Sequence, residues 1–178
     1  MLVQMISRRD LLVSAVASAI PFSASAALIV PGERRLSLYN QHTGESVKAV
    51  YWADGEFIPD ELDAINHVLR DHRTDGVIDI DTHLLDQLNL LQAKVGITGR
   101  YEIISAYRSP KSNAKLYKST EGVSSKSHHM FGRAVDVRLP GVELERLHAA
   151  ALNMVAGGVG YYPKSHFIHL DSGELRSW

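Results

Sequence analysis

Apolar and polar positions alternate in short blocks along the chain, broken by stretches with a helical period. Leu36 to Asn40 and Val47 to Trp52 alternate around His42-Thr43-Gly44-Glu45-Ser46, which predicts a β-hairpin. Between Ile58 and Arg73, Leu62, Ile65, Val68 and Leu69 recur at helical spacing behind Pro59-Asp60-Glu61, so a helix is expected there. Asp81 to Val95 predicts a second helix, with Leu84, Leu85, Leu88, Leu91 and Val95 on one face and Asp81 or Thr82 as its cap. Tyr101 to Ala106 reads as a strand. Ser109-Pro110 opens a short helix to Tyr117, because proline suits the first helical position. Thr120 to Lys126 is polar loop and Ala134 to Leu139 a strand. Val142 to Val155 is a further helix ended by Gly157-Gly158, and residues 159–162 and 167–171 form a final hairpin-like pair. Helices dominate early and strands late, which predicts an α+β domain: a small antiparallel sheet flanked by about three helices.

The first 26 residues stand apart from this pattern. Ser7-Arg8-Arg9-Asp10 precedes an apolar run from Leu11 to Phe22, which ends in Ala24-Ser25-Ala26. A paired arginine, a short apolar run and a small-residue cleavage site together read as a twin-arginine export signal, addressed to the export machinery rather than anchored in the bilayer. The run is shorter than the roughly 20 residues of a membrane span. Residues 27–178 are therefore expected to be one exported, periplasmic domain with no membrane anchor once the signal is cut.

Composition narrows the chemistry. The chain has no cysteine, so an exported fold rests on its core without disulfides, and no thiolate is available to a metal. Its formal charge is −1 and no basic stripe runs through it, which argues against a nucleic-acid partner. Nine histidines are many for this length, and several gather in the last third.

The chemistry concentrates in Ser127-His128-His129-Met130-Phe131-Gly132-Arg133-Ala134-Val135-Asp136 and in Phe167-Ile168-His169-Leu170-Asp171. His129, Asp136 and His169 make a candidate zinc site with three protein ligands. Such a site keeps its fourth position for water, which is the catalytic arrangement. His129 and Asp136 lie an odd number of residues apart, so one regular strand would put them on opposite faces. A turn at Gly132 brings them back together. Beyond it, Val135 and Val137 are expected to face the core, with Ala134, Asp136 and Arg138 on the site face. Taken singly, each residue has a plainer reading: a hydrogen-bonded core histidine, or an aspartate paired with Arg133 or Arg138. The joint pattern shifts the balance.

The run Ser127-x-His129-x-x-Gly132-x-Ala134-x-Asp136, followed by His169 between apolar residues, resembles the zinc D-Ala-D-Ala peptidase family, of the lysostaphin-, D-Ala-D-Ala- and hedgehog-type fold. His42 to Ser46, Val159-Gly-Tyr-Tyr-Pro-x-Ser165, Phe167-x-His169-x-Asp171-x-Gly173 and Arg176-x-Trp178 are similar to its twin-arginine-exported murein endopeptidases, so the likeness spans residues 27–178. The resemblance implies a catalytic zinc on His129, Asp136 and His169. It implies Arg108 as the arginine near the scissile peptide, with Ser127 hydrogen-bonding in the site or orienting the ligand loop. A guanidinium suits that place, since it binds a carboxylate with two prongs or stabilises oxyanion charge. The general base departs from the family pattern. Relatives carry an acid three residues before the last ligand or a histidine two before it, where this chain has His166 and Phe167. His166 and Asp171 are the two candidates, and Asp171 has the alternative role of orienting a histidine ligand.

The expected activity is zinc-dependent hydrolysis of peptide cross-links between peptidoglycan stems. Two other functions stay open: a D,D-carboxypeptidase trimming stem peptides, and a zinc-containing wall-binding module without catalysis.

Overall fold

A computed structural model describes residues 32–120 and 122–178. The export-signal reading falls on residues outside that range. Among the described residues, no helix is long and apolar enough to cross a membrane.

Strands β1 (Glu33–Asn40) and β2 (Ser46–Ala53) form the expected hairpin, extended by β3 (Glu56–Phe57). Helices α1 (Pro59–Val68) and α2 (Thr82–Val95) lead to β4 (Arg100–Ser105), and α3 (Pro110–Ser119) to β5 (Ala134–Arg138). Helix α4 (Leu144–Leu152), β6 (Gly158–Tyr162), β7 (Phe167–Asp171) and β8 (Arg176–Ser177) complete the chain. The caps follow their side chains. The Asp81 carboxylate accepts from the His83 amide, and the Ser109 hydroxyl accepts from the Ser112 amide at 3.2 Å.

The α+β class is as expected, and the sheet is larger than expected and mixed. Its eight strands run in the order β3-β2-β1-β4-β5-β7-β6-β8. β1 and β4 pair in parallel because α1 and α2 carry the chain back across the sheet, and β6 and β8 also pair in parallel. Two expected helices are shorter than their apolar pattern. α1 stops at Val68, after which Asp71 bridges Gly76 in a tight loop. α4 stops at Leu152, before the glycines, and Val155 follows with φ +52°.

One face of the sheet builds the core. Leu36, Leu38, Tyr101, Ile103, Val135, Val137, Ile168 and Leu170 pack with Ile65, Leu84, Leu85, Leu88, Leu91 and Leu147 from α1, α2 and α4. The period of two sends the intervening residues of β5 and β7 to the opposite face. Asp136 lies directly across from His169 in the β5–β7 ladder, so two candidate ligands are set by register alone. The third arrives through a turn. Residues His128–Phe131 form a 3-10 turn ended by Gly132 at φ +65°, where an added Cβ would lie 2.6 Å from the Asp79 carbonyl. Only glycine fits that left-handed, close-packed position.

Candidate metal centre

His129, Asp136 and His169 are buried together, with one possible ligand atom from each lying within 4.8 Å of the others. Asp136 Oδ1 lies 2.8 Å from His169 Nδ1, and Asp136 Oδ2 lies 3.4 Å from His129 Nε2. The far nitrogen of each imidazole is already committed. His129 Nδ1 lies 2.7 Å from the Ala106 carbonyl, which only accepts, so this nitrogen carries the proton. His169 Nε2 likewise faces Asp171 Oδ2 at 3.0 Å. In their neutral forms both imidazoles therefore turn a lone pair toward the Asp136 carboxylate. Two lone pairs and a carboxylate converging in a buried space fit a divalent cation. The electrostatics express the same convergence. Burial pushes the Asp136 carboxyl up, but the His129 and His169 imidazoles outweigh it and hold it well below the usual carboxylate range. Burial pushes His169 down, and the bonds to Asp136 and Asp171 carry it above the ordinary histidine value.

Asp171 is fully buried, at 0% exposure, and its oxygens are saturated. Oδ2 accepts from His169 and from Arg176 Nη2 at 2.6 Å; Oδ1 accepts from the amides of Gly173 at 2.8 Å and Gly158 at 3.3 Å. Burial raises its carboxyl, but these bonds and the nearby charges prevail and hold it down at about 2. Gly158 is required here, because an added Cβ would meet the Asp171 carboxylate at 2.4 Å. The structure thus brings Asp171 to the His129–Asp136–His169 group through His169. It does not bring His166 there. His166 sits in a left-handed turn (φ 54°) before β7 begins, with its side chain exposed and not part of the cavity lining.

The trio lies at the foot of an open cavity of about 810 Å³, whose lining includes Arg108, Ser127, Tyr162, Phe167 and Trp178. Ser127 precedes the 3-10 turn and caps it through its carbonyl, which accepts from the Met130 amide, while its side chain makes no capping bond. Arg108 is only 8% exposed. Its Nη1 and Nη2 reach Asn113 Oδ1 and Ser105 Oγ, both at 3.3 Å, and its Nε has no partner. Burial lowers its pKa, which the Asp136 charge opposes. The backbone amide of Arg108 donates to the His129 carbonyl at 3.1 Å, tying the arginine to the ligand turn.

One supporting residue is not flagged by the sequence motifs. Asp71 is buried, and its carboxylate accepts from the amides of Arg73 and Ser109 and from the Thr74 hydroxyl, each at 3.0 Å. It fastens the 71–76 loop to the residue after Arg108. Asp71-x-x-Thr74-Asp75-Gly76 has the composition of such a turn, which is the signal that was available.

Sheet, candidate metal-ligand trio and cavity together have the form of the zinc D-Ala-D-Ala peptidase class. The family model described as peptidoglycan L,D-endopeptidase MepK matches residues 29–178, and the chain belongs to that family. It is 43% identical over 162 residues to peptidoglycan L,D-endopeptidase MepK of Escherichia coli strain K12, covering 91% of this chain and 89% of that protein. It is 35% identical to the probable peptidoglycan L,D-endopeptidase MepK of Haemophilus influenzae, covering 90% and 87%. No solved structure matches the chain.

The Asp171 arrangement has a measurable consequence. Asp171→Asn leaves the shape and removes the charge that fixes the His169 proton at Nε2. Zinc affinity, measured by competition with a chromogenic chelator, is expected to fall about 10–100-fold, the usual effect of losing the partner of a ligating histidine. Affinity unchanged by the substitution contradicts the orienting role.

Proposed function

We propose that this chain is a zinc-dependent endopeptidase that hydrolyses peptide cross-links in peptidoglycan, with the L,D-endopeptidase activity named for its relatives. The observation that carries this reading is the buried His129–Asp136–His169 set at the foot of a cavity, in a chain of the MepK family. Two imidazoles, one carboxylate and an open side facing the cavity suit catalytic zinc. When bound, zinc supplies Lewis-acid activation of water and of the scissile carbonyl.

The chain's own residues do the rest. Ala106 and Asp171 hold the protons of His129 and His169 on the nitrogens away from the centre. Arg108, whose side chain lines the cavity beside the trio, binds a substrate carboxylate or the oxygen on which charge develops. Ser127 lines the approach to the ligand turn. Asp171 acts on His169 rather than on water, since four donors occupy its oxygens. His166 does not line the cavity, which disfavours it as a base. Residues 1–26 direct the folded protein through the twin-arginine machinery, and 27–178 act in the periplasm.

Mass spectrometry of muropeptides tests the reading. Sacculi incubated with the zinc-loaded protein are expected to lose cross-linked dimers, with product masses that place the cut at an L,D bond. Release of single D-Ala residues would instead identify a carboxypeptidase. Binding to sacculi with no new muropeptide would identify a wall-binding module.

A further inference from the structure

Residues 176–178 are tied closely to the cavity. Residues Arg176 and Ser177 pair with Gly158 and Val159 as strand β8. The Trp178 amide donates to the Val159 carbonyl and its own carbonyl accepts from Tyr161, so the backbone is held on both sides. The indole is then fixed in three ways. Nε1 donates to the Tyr162 hydroxyl at 2.7 Å, the ring centroid lies 5.2 Å from that of His169, and the Arg176 guanidinium stacks at 5.2 Å. Gly160, directly across from His169, makes room for it, because a Cβ there would lie 2.8–2.9 Å from the indole atoms.

Even so, Trp178 remains 50% exposed and lines the cavity. A tryptophan that only anchors a segment is largely buried; this one has a hydrogen-bonded edge and half of its surface exposed, as binding-site aromatics do. It does not stand alone. Tyr162 and Phe167 stack at 4.6 Å and also line the cavity, so one side of it is aromatic. Arg108, Lys126, Ser127 and His42 contribute polar and cationic groups to the same lining. The site therefore suits a peptide that offers both aliphatic groups and carboxylates.

We propose that Trp178 is a substrate-contacting residue, its indole forming the wall on which the methyl and methylene groups of a stem peptide pack beside the metal centre. The inference rests on the endopeptidase reading of the cavity. Apolar contact of this kind is made equally in the bound and transition states, so its loss raises KM more than it lowers kcat.

The test is steady-state kinetics of the full chain on a purified cross-linked muropeptide. Trp178→Ala is expected to raise KM about tenfold with kcat within about threefold and zinc content unchanged. Trp178→Phe, which keeps an apolar face, is expected to stay within about threefold of the wild-type KM. Gly160→Ala displaces the indole without removing it and is expected to follow Trp178→Ala. A wild-type KM in Trp178→Ala, or joint loss of zinc and kcat that phenylalanine does not rescue, overturns the inference. A binding readout separates this from failure of the endopeptidase reading. The chain has two tryptophans, and Trp52 lies on β2 beneath Arg34. In Trp52→Phe protein, a saturable change in Trp178 emission on titration with the muropeptide supports the contact whether or not the bond is cut; no change overturns it. A wild type that does not hydrolyse the muropeptide while Trp178 emission responds refutes the endopeptidase reading alone.

Discussion

His169→Ala is expected to abolish hydrolysis of sacculi, with turnover down at least about 10³-fold and bound zinc falling from one per chain to near none. His169 stands between two carboxylates, with Nδ1 at Asp136 and Nε2 at Asp171. Removing it leaves two protein ligands where catalytic zinc uses three. Lewis-acid activation contributes several kcal/mol to such hydrolyses, and about 4 kcal/mol corresponds to about a thousandfold. The fold should survive. Asp171 keeps Arg176 and two amides, and Asp136 keeps His129. Circular dichroism alongside zinc analysis separates loss of metal from loss of structure. A folded His169→Ala protein with wild-type turnover would refute the ligand assignment.

Arg108→Ala is expected to reduce kcat/KM about 10²–10³-fold, the range for losing one preorganised donor to developing charge. Stability should respond differently. A buried guanidinium with one unpartnered N–H and two long hydrogen bonds contributes little to folding, because desolvation offsets what the bonds return. The melting temperature is expected to stay within about 4 °C of wild type, the shift given by about 1 kcal/mol in a domain of this size. Arg108→Lys keeps the charge and loses the two-pronged geometry, so its rate should fall between the two. Full activity in the alanine variant, or unfolding without chemistry lost in the remaining folded fraction, would place Arg108 among structural residues.

The sequence carries the grouping of His129, Asp136 and His169 because two short-range rules suffice for it. Strand alternation puts Asp136 and His169 on the face opposite Val135, Val137, Ile168 and Leu170, and Gly132 permits the turn that returns His129. The helix caps at Asp81 and Ser109 are equally local. What the pattern does not carry depends on distant pairing. The parallel contact of β1 with β4 follows from a crossover, and no local periodicity encodes it. Strand β8 is two residues long, too short for any pattern, yet it delivers Trp178 to the cavity. Alternation puts Asp171 on the His169 face, but only the fold brings Arg176, Gly158 and Gly173 to fill its oxygens. β7 begins at Phe167 as its alternation predicts, but no strand pattern encodes the left-handed turn at His166 just before it, which leaves that side chain exposed.

Chelation and zinc readdition on one sample decide whether hydrolysis depends on the metal. Protein incubated with sacculi is stripped with a chelator, assayed, and titrated with zinc while cross-linked dimers are counted. Activity is expected to vanish on stripping and to return in proportion to zinc, saturating at one equivalent per chain. Dimer loss that persists in fully stripped protein would contradict zinc dependence.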